Sequence, residues 1–205
     1  MAWSPTQYTK FEDERNRPIR DLIAQIPNTA VARAADVGCG PGNSTELLQQ
    51  RYPEAEVSGM DSSAEMIAAA TKRLPKHHFE IADVGTWANP GPFDVILSNA
   101  VLQWVPNHEK VVPALFAKLS PGGSLAIQMP DNLDEPAHVL MRQVSVGGPW
   151  AKKQGGAEER TANRHDATWY YRMLLDLGAT VNIWRTTFHH PLKGGPSAIV
   201  EWLDR

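Results

Sequence analysis

The sequence predicts an α/β fold: a mostly parallel, doubly wound sheet with helices on both faces. Three observations carry this expectation. Short apolar runs alternate with helical patterns through the first half, which implies parallel strands joined by crossover helices. A glycine-rich turn, Gly38-Cys39-Gly40-Pro41-Gly42, separates the first apolar run from a helix. Polar residues (Asp36, Asp61, Asp83 and Asn99) recur where four predicted strands end.

At 205 residues the chain suits one domain with a sizeable core. Residues 130–165 are rich in glycine, proline and charge without clear periodicity, and are read as a substrate-side insertion or lid. Hydrophobic residues make up 42% and charged residues 21%, the balance of a soluble globular protein. No apolar run reaches the ~18 residues a membrane span needs, and no secretory signal opens the chain. The net charge is -3 and there is no basic run, which argues against a nucleic-acid partner. One cysteine, Cys39, rules out an intramolecular disulfide and suits a reducing cytoplasm.

The elements follow in order. Ile19, Leu22, Ile23 and Ile26 share one helical face, in a helix predicted to start near Pro18 and stop at Pro27. The first strand covers 32–37; its alanines are weak strand formers, so the turn after it carries the assignment. Asn43 and Glu46 have capping-box spacing for the next helix, and Ser62 with Glu65 for the one after. Strands are predicted at 56–60, 78–82, 93–98, 124–129 and 180–188. Pro121-Gly122-Gly123 reads as a turn before the fifth strand. Helices are predicted after Asn107, over 167–177 with Gly178 as the stop, and over 197–203. Pro113 fits its helix only if it falls in the first turn.

Ligands of open α/β sheets bind beyond the carboxyl ends of the strands. Glycines at 38, 40 and 42 allow a tight turn and close approach to a ligand. Asp61 stands at the next strand end, about 20 residues on, where a carboxylate can accept from ribose hydroxyls. Asp83, one strand further, can accept from an adenine amino group. A dinucleotide fold wants Gly-x-Gly-x-x-Gly, with Gly or Ala at position 43; Asn43 disfavours a nicotinamide dehydrogenase. S-adenosylmethionine, which has no pyrophosphate, fits the spacing better, its carboxylate reaching loop N–H groups. Cys39 reads as a small packed residue and His189 and His190 as surface residues. His77 and His78 lack partners at metal spacing, so no metal is predicted.

The segment from Asp36 to Thr45 resembles motif I of class I methyltransferases, with their Rossmann-like fold. Further stretches resemble the trans-aconitate 2-methyltransferase family: residues 8–15, 98–106, 128–132, 147–150 and 181–187. The resemblance implies methyl transfer from S-adenosylmethionine to a carboxylate of trans-aconitate or a similar small polycarboxylic acid, with S-adenosylhomocysteine as the other product. By motif, Gly38, Gly40, Asp61, Asp83 and Asn99 would hold the cofactor, with Asp36, Cys39 and Ala100 beside them. Ser62 and Met66 would flank ribose and adenine, and Val84 would contact the ring. Trp3, Tyr8 and Phe11 would cover the cofactor from the N-terminal segment. Gln103 and Trp104 would face the acceptor, Trp104 touching the cofactor as well.

A substrate carboxylate is ionised near neutral pH, so no catalytic base is named; proximity and orientation do the work. A polycarboxylate wants cationic holders, for which Arg15, His138 and Arg142 are the first candidates and Arg17, Arg164 and His165 further ones. Two alternatives stand beside this reading: another small-molecule O-, N- or C-methyltransferase, and a cofactor-binding fragment with little activity. The resemblance implies a family that continues past Arg205 into a seventh, antiparallel strand. The expectation is therefore a sheet without its last strand, in a monomer or a homodimer formed through the exposed edge.

Overall fold

The computed structural model describes residues 11–147, 164–191 and 195–203. Five parallel strands form one sheet among these residues, in the order β3-β2-β1-β4-β5. They are β1 (Arg33–Val37), β2 (Glu56–Asp61), β3 (His78–Ile81), β4 (Phe93–Asn99) and β5 (Leu119–Gln128). The helices are α1 (Glu12–Ala24), α2 (Asn43–Arg51), α3 (Ala64–Arg73), α4 (His108–Phe116), α5 (Pro136–Gly147), α6 (Ala167–Asp176) and α7 (Pro196–Leu203), with a 3-10 turn at Leu102–Trp104.

The central strands are buried on both faces, as the parallel arrangement requires. Val95 and Leu97 join Ile19, Leu22, Leu48 and Val57 in one core layer. Ile96, between them, joins Val37, Leu102, Val112 and Leu115 in the other. The period of two along β4 thus feeds two cores. The weakly strand-forming Ala34 and Ala35 of β1 are held between β2 and β4, where small side chains fit beneath helices.

Several elements differ from the sequence expectations. α1 starts six residues before Pro18, on the acidic turn Glu12-Asp13-Glu14, whose charges suit a helix N-terminus. Pro18 sits inside it without an N–H to give the helix; burial of Asn16, Ile19, Leu22 and Ile23 carries the helix through. No capping box forms at α2: its N-cap is Gly42 in the left-handed region, and Asn43 donates to Asn16 Oδ1 at 2.7 Å. The cap of α3 is Ser63 rather than Ser62, its hydroxyl accepting from Met66 N. Pro113 lies past the first turn of α4, within the helix. Pro121-Gly122-Gly123 lies inside β5, where pairing jumps from Phe93↔Leu119 to Val95↔Ser124 as a bulge. Residues 136–147, read as part of an irregular insertion, are helical.

The largest correction is at 180–188, which forms no strand. Neither side of that segment finds a sheet partner among the described residues. Arg185 reaches Asp131 at 2.8 Å, and just past the segment Arg17 Nη1 donates to His189 O at 2.9 Å. α6 does stop where expected, with Gly178 at φ +82.

Candidate active site

The carboxyl ends of β1, β2 and β4 meet in one corner. The chain leaves β1 through Gly38, Gly40 and Gly42 at φ +74, +52 and +88, conformations that penalise any Cβ. Gly38 has a second reason to be glycine: an added Cβ would lie 2.2 Å from Val101 Cγ2. The turn after β4 therefore packs directly on the loop after β1. The loop amides are engaged within the protein. Gly38 N and Cys39 N both donate to Met60 O (2.8 and 2.9 Å), Gly40 N donates to Asp61 Oδ2 (3.0 Å), and Gly42 N to Cys39 O (3.0 Å). A ligand carboxylate drawing on these N–H groups is thus not what this geometry favours; the glycines provide close approach.

Asp36 faces inward rather than toward a ligand. It is 1% exposed, and its Oδ2 accepts from Ser44 Oγ (2.6 Å) and Thr45 Oγ1 (2.7 Å). It ties the base of the loop to the first turn of α2. Burial pushes its carboxyl up to about 6, against the two hydroxyls that lower it, with nearby Asp61 adding to the rise. The Cys39 side chain is also buried, packed with Ile67 and Ala70, so only its backbone borders the corner. Burial, then the charges of Asp36 and Asp61, push its thiol upward, away from reactivity.

Asp61 is half-buried at the end of β2, one oxygen accepting from Gly40 N and the other from Ser63 N at 2.9 Å. A carboxylate oxygen can accept twice, so one lone pair remains on each. That suits two adjacent hydroxyls. Ser62 is exposed beside it, and Met66 is buried beneath. Asp83 is exposed and turns Oδ1 onto Gly85 N (2.8 Å), with half-buried Val84 next to it.

The end of β4 carries buried acceptors without donors. Asn99 Oδ1, Gln103 Oε1 and Gln128 Oε1 have no hydrogen-bond partner among the described residues. Asn99 and Gln128 are in register across β4 and β5, and Ala100 N bonds Gln128 O at 2.9 Å. Ala100 has φ +56, a left-handed conformation costly for a residue with a Cβ. Gln103 Nε2 closes the turn onto Ala100 O at 2.7 Å, and Trp104 is 38% exposed. A buried acceptor left unmade costs about 1–3 kcal/mol, so this corner is set for a ligand that brings N–H donors. Beyond its place at a strand end, Gln128 is marked in the sequence only as the first residue of the family-like stretch 128–132.

The expected cationic holders do not converge. Arg15 stacks over the Trp202 ring at 5.3 Å, and Phe11 meets the same ring edge-on at 5.2 Å rather than standing over the corner. Arg17 lies over Phe188. His138 and Arg142 sit half-buried on α5. Arg164 is bound to Asp131 and to Pro130 O, just beyond the end of β5. The His165 ring stacks on Trp169 at 3.8 Å. Trp3 and Tyr8 lie outside the described residues.

Two connections have no sequence signal. Arg73 of α3 bridges Glu12 of α1 (2.5 Å) and Glu46 of α2 (2.6 Å), tying the start of α1 to the loop's helices; it holds the Glu12 carboxyl below its usual range. His108, fully buried, joins Leu102 O to the hydroxyl of Tyr170. Among the described residues no cluster of three metal-ligating side chains occurs, and no helix is long and apolar enough to cross a membrane.

Comparison with known proteins agrees with this architecture. A family model described as a methyltransferase domain matches residues 11–181. The chain is 49% identical over 205 residues to trans-aconitate 2-methyltransferase of Variovorax paradoxus, covering 99% of this chain and 78% of that one. It is 50% identical over 201 residues to the enzyme of the same name from Rhodopseudomonas palustris, covering 98% and 78%. Among solved structures it resembles the plantazolicin methyltransferase BpumL in complex with SAH. The TM-score is 0.56 at 20% identity, over 84% of this chain and 64% of that one, a likeness of fold.

Proposed function

This chain belongs to the trans-aconitate 2-methyltransferase family of methyltransferase-domain proteins, and from that premise we propose how its strand-end corner works. It transfers a methyl group from S-adenosylmethionine to a carboxylate of trans-aconitate, or of a similar small polycarboxylic acid, leaving S-adenosylhomocysteine. The carrying observation is the Asp61 carboxylate, fixed by Gly40 N and Ser63 N with one lone pair over on each oxygen. That is the acceptor set for the two ribose hydroxyls.

The rest of the corner fits the same cofactor. Its ammonium group would supply the donors that Asn99, Gln103 and Gln128 lack. Gly38 and Gly40 keep side-chain bulk out of its path, Asp83 has an oxygen left for the adenine amino group, and Val84 and Met66 lie at the ring's border. When bound, S-adenosylmethionine supplies a methyl group activated by sulfonium charge. The acceptor carboxylate is already ionised near neutral pH, so no side chain has to remove a proton. The protein's share is to hold the acceptor oxygen in line and to exclude water, with Trp104 and Gln103 as the acceptor-facing wall. Of the expected lid over 130–165, residues 148–163 lie outside the described residues; Arg142 of α5 and Arg164 are the candidate holders it offers for the remaining carboxylates. The lone buried cysteine suits a reducing, cytoplasmic setting.

The test is a methyl-transfer assay with trans-aconitate, with cis-aconitate and citrate as comparison acids. Ester formation favouring trans-aconitate supports the reading; methylation of none of the three, by protein that binds the cofactor in calorimetry, overturns the acceptor assignment.

A further inference from the structure

The turn at Leu102–Trp104 is held from behind by a chain of three hydrogen bonds that ends in a different part of the molecule. His108, the first residue of α4, is 0% exposed, and both ring nitrogens are engaged. Nε2 lies 2.7 Å from Leu102 O, a carbonyl, so Nε2 must carry the proton and donate. Nδ1 is then the acceptor, and Tyr170 O–H donates to it across 2.5 Å. The Tyr170 oxygen in turn accepts from His165 N at 3.3 Å. Tyr170, the one buried residue of α6, is thereby linked through His108 to the backbone that carries Gln103 and Trp104.

The turn needs such a hold. It starts at Ala100, in the left-handed region at φ +56, and Val101 presses against Gly38. Strained backbone persists only where its surroundings over-determine it. Released from Leu102 O, the turn could relax outward, moving Gln103 and Trp104 while the loop after β1 keeps its own bonds to Met60 and Asp61.

We propose that His108 and Tyr170 are positioning residues for acceptor binding: the His165–Tyr170–His108–Leu102 chain sets where Gln103 and Trp104 stand, and so tunes acceptor affinity without touching substrate. This rests on the reading that Gln103 and Trp104 face the acceptor.

The experiment uses the full chain and two lines of readout. Tyr170→Phe keeps the ring and removes the donor. The expected result is an acceptor KM raised about fivefold to tenfold, the effect of one lost hydrogen bond, with cofactor affinity within twofold of the parent. Hydrogen exchange at residues 101–105, measured without any substrate, is expected to quicken. His108→Gln, whose amide can still reach Leu102 O, should stay close to Tyr170→Phe. His108→Asn, too short for Leu102 O, should lose more. An unchanged exchange rate at 101–105 in Tyr170→Phe overturns the coupling; so does a parallel loss of cofactor and acceptor affinity, which is general loosening. If the parent protein methylates no polycarboxylate, the functional reading fails, while the exchange measurement still decides whether the chain of bonds holds the turn.

Discussion

The stretch from β1 through the 3-10 turn and the stretch from α5 onward are built differently. In the first, every strand is paired and most large apolar side chains lie in two core layers, beside a smaller cluster around Ile67. In the second, α5 has no buried residue, Tyr170 alone is buried on α6, and residues 180–191 pair with no strand. Among the described residues every exposed large hydrophobic except Ile81 and Trp104 lies in this second stretch. The two also differ in how they place functional groups. Asp61, Asn99 and the glycines are fixed by ladders and loop bonds beside them. Arg164, a candidate acceptor-side cation, hangs on contacts to Asp131 and Pro130 O, far from it in sequence. Parallel strands buried on both faces have few alternatives, whereas a helix with its apolar side outward takes its position from whatever it touches.

Asp61→Ala attacks the first stretch at its proposed cofactor contact. Removing two charge-assisted bonds should weaken cofactor binding by about 100-fold or more, read by calorimetry. Unchanged affinity would break the assignment of the first stretch as the cofactor half. Gly38→Ala comes next, combining a left-handed backbone with the Val101 contact. It should cost about 2–5 kcal/mol in denaturant unfolding, and Val101→Ala in the same chain should recover part of it by removing the clash.

Asp36→Asn sharpens the comparison through pH. The folded-state carboxyl is raised to about 6 from an ordinary 3.8, so the protonated form is the one folding favours. Its contribution to stability is fully present below pH 3.8 and is lost as pH rises through about 6, a difference of roughly 3 kcal/mol. Unfolding curves at about pH 4 and about pH 7 should therefore show the parent losing ground to the Asn variant as pH rises. Parallel curves would mean that the buried carboxyl is no strain on the loop.

The smallest effect is expected in the second stretch. Leu140→Glu, at a position 58% exposed, should change unfolding stability by no more than about 0.5 kcal/mol. A loss several times larger would show that α5 is covered in solution, and would erase the contrast between the stretches.

The same contrast explains what is legible in the sequence. The five strands, the glycine turn and the strand-end residues Asp61, Asp83 and Asn99 all leave local signals: apolar runs, glycine spacing, and a polar residue where a run stops. Helix starts are harder to read, because a single residue type is a poor guide to them. Pro18 has the look of a first helical position, but the acidic turn ahead of it and the buried face after it carry the helix across. Ser62 and Ser63 are chemically alike, and only backbone geometry chooses Ser63 as the cap.

By itself, then, the sequence determined the layered architecture and the strand-end corner proposed to bind the cofactor, because periodicity and turn chemistry act over a few residues. Tertiary structure alone decided the direction of Asp36, the engagement of the loop amides, the His108–Tyr170 link and the absence of a strand at 180–188. The last three depend on a partner distant in sequence: Met60 for the loop, Tyr170 for His108, a neighbouring strand for a segment that has none among the described residues; Asp36 is turned inward by Ser44 and Thr45, across the glycine turn. A β-rich pattern predicts only a capacity to pair, and without a neighbour whose N–H and C=O groups meet its own, no ladder forms.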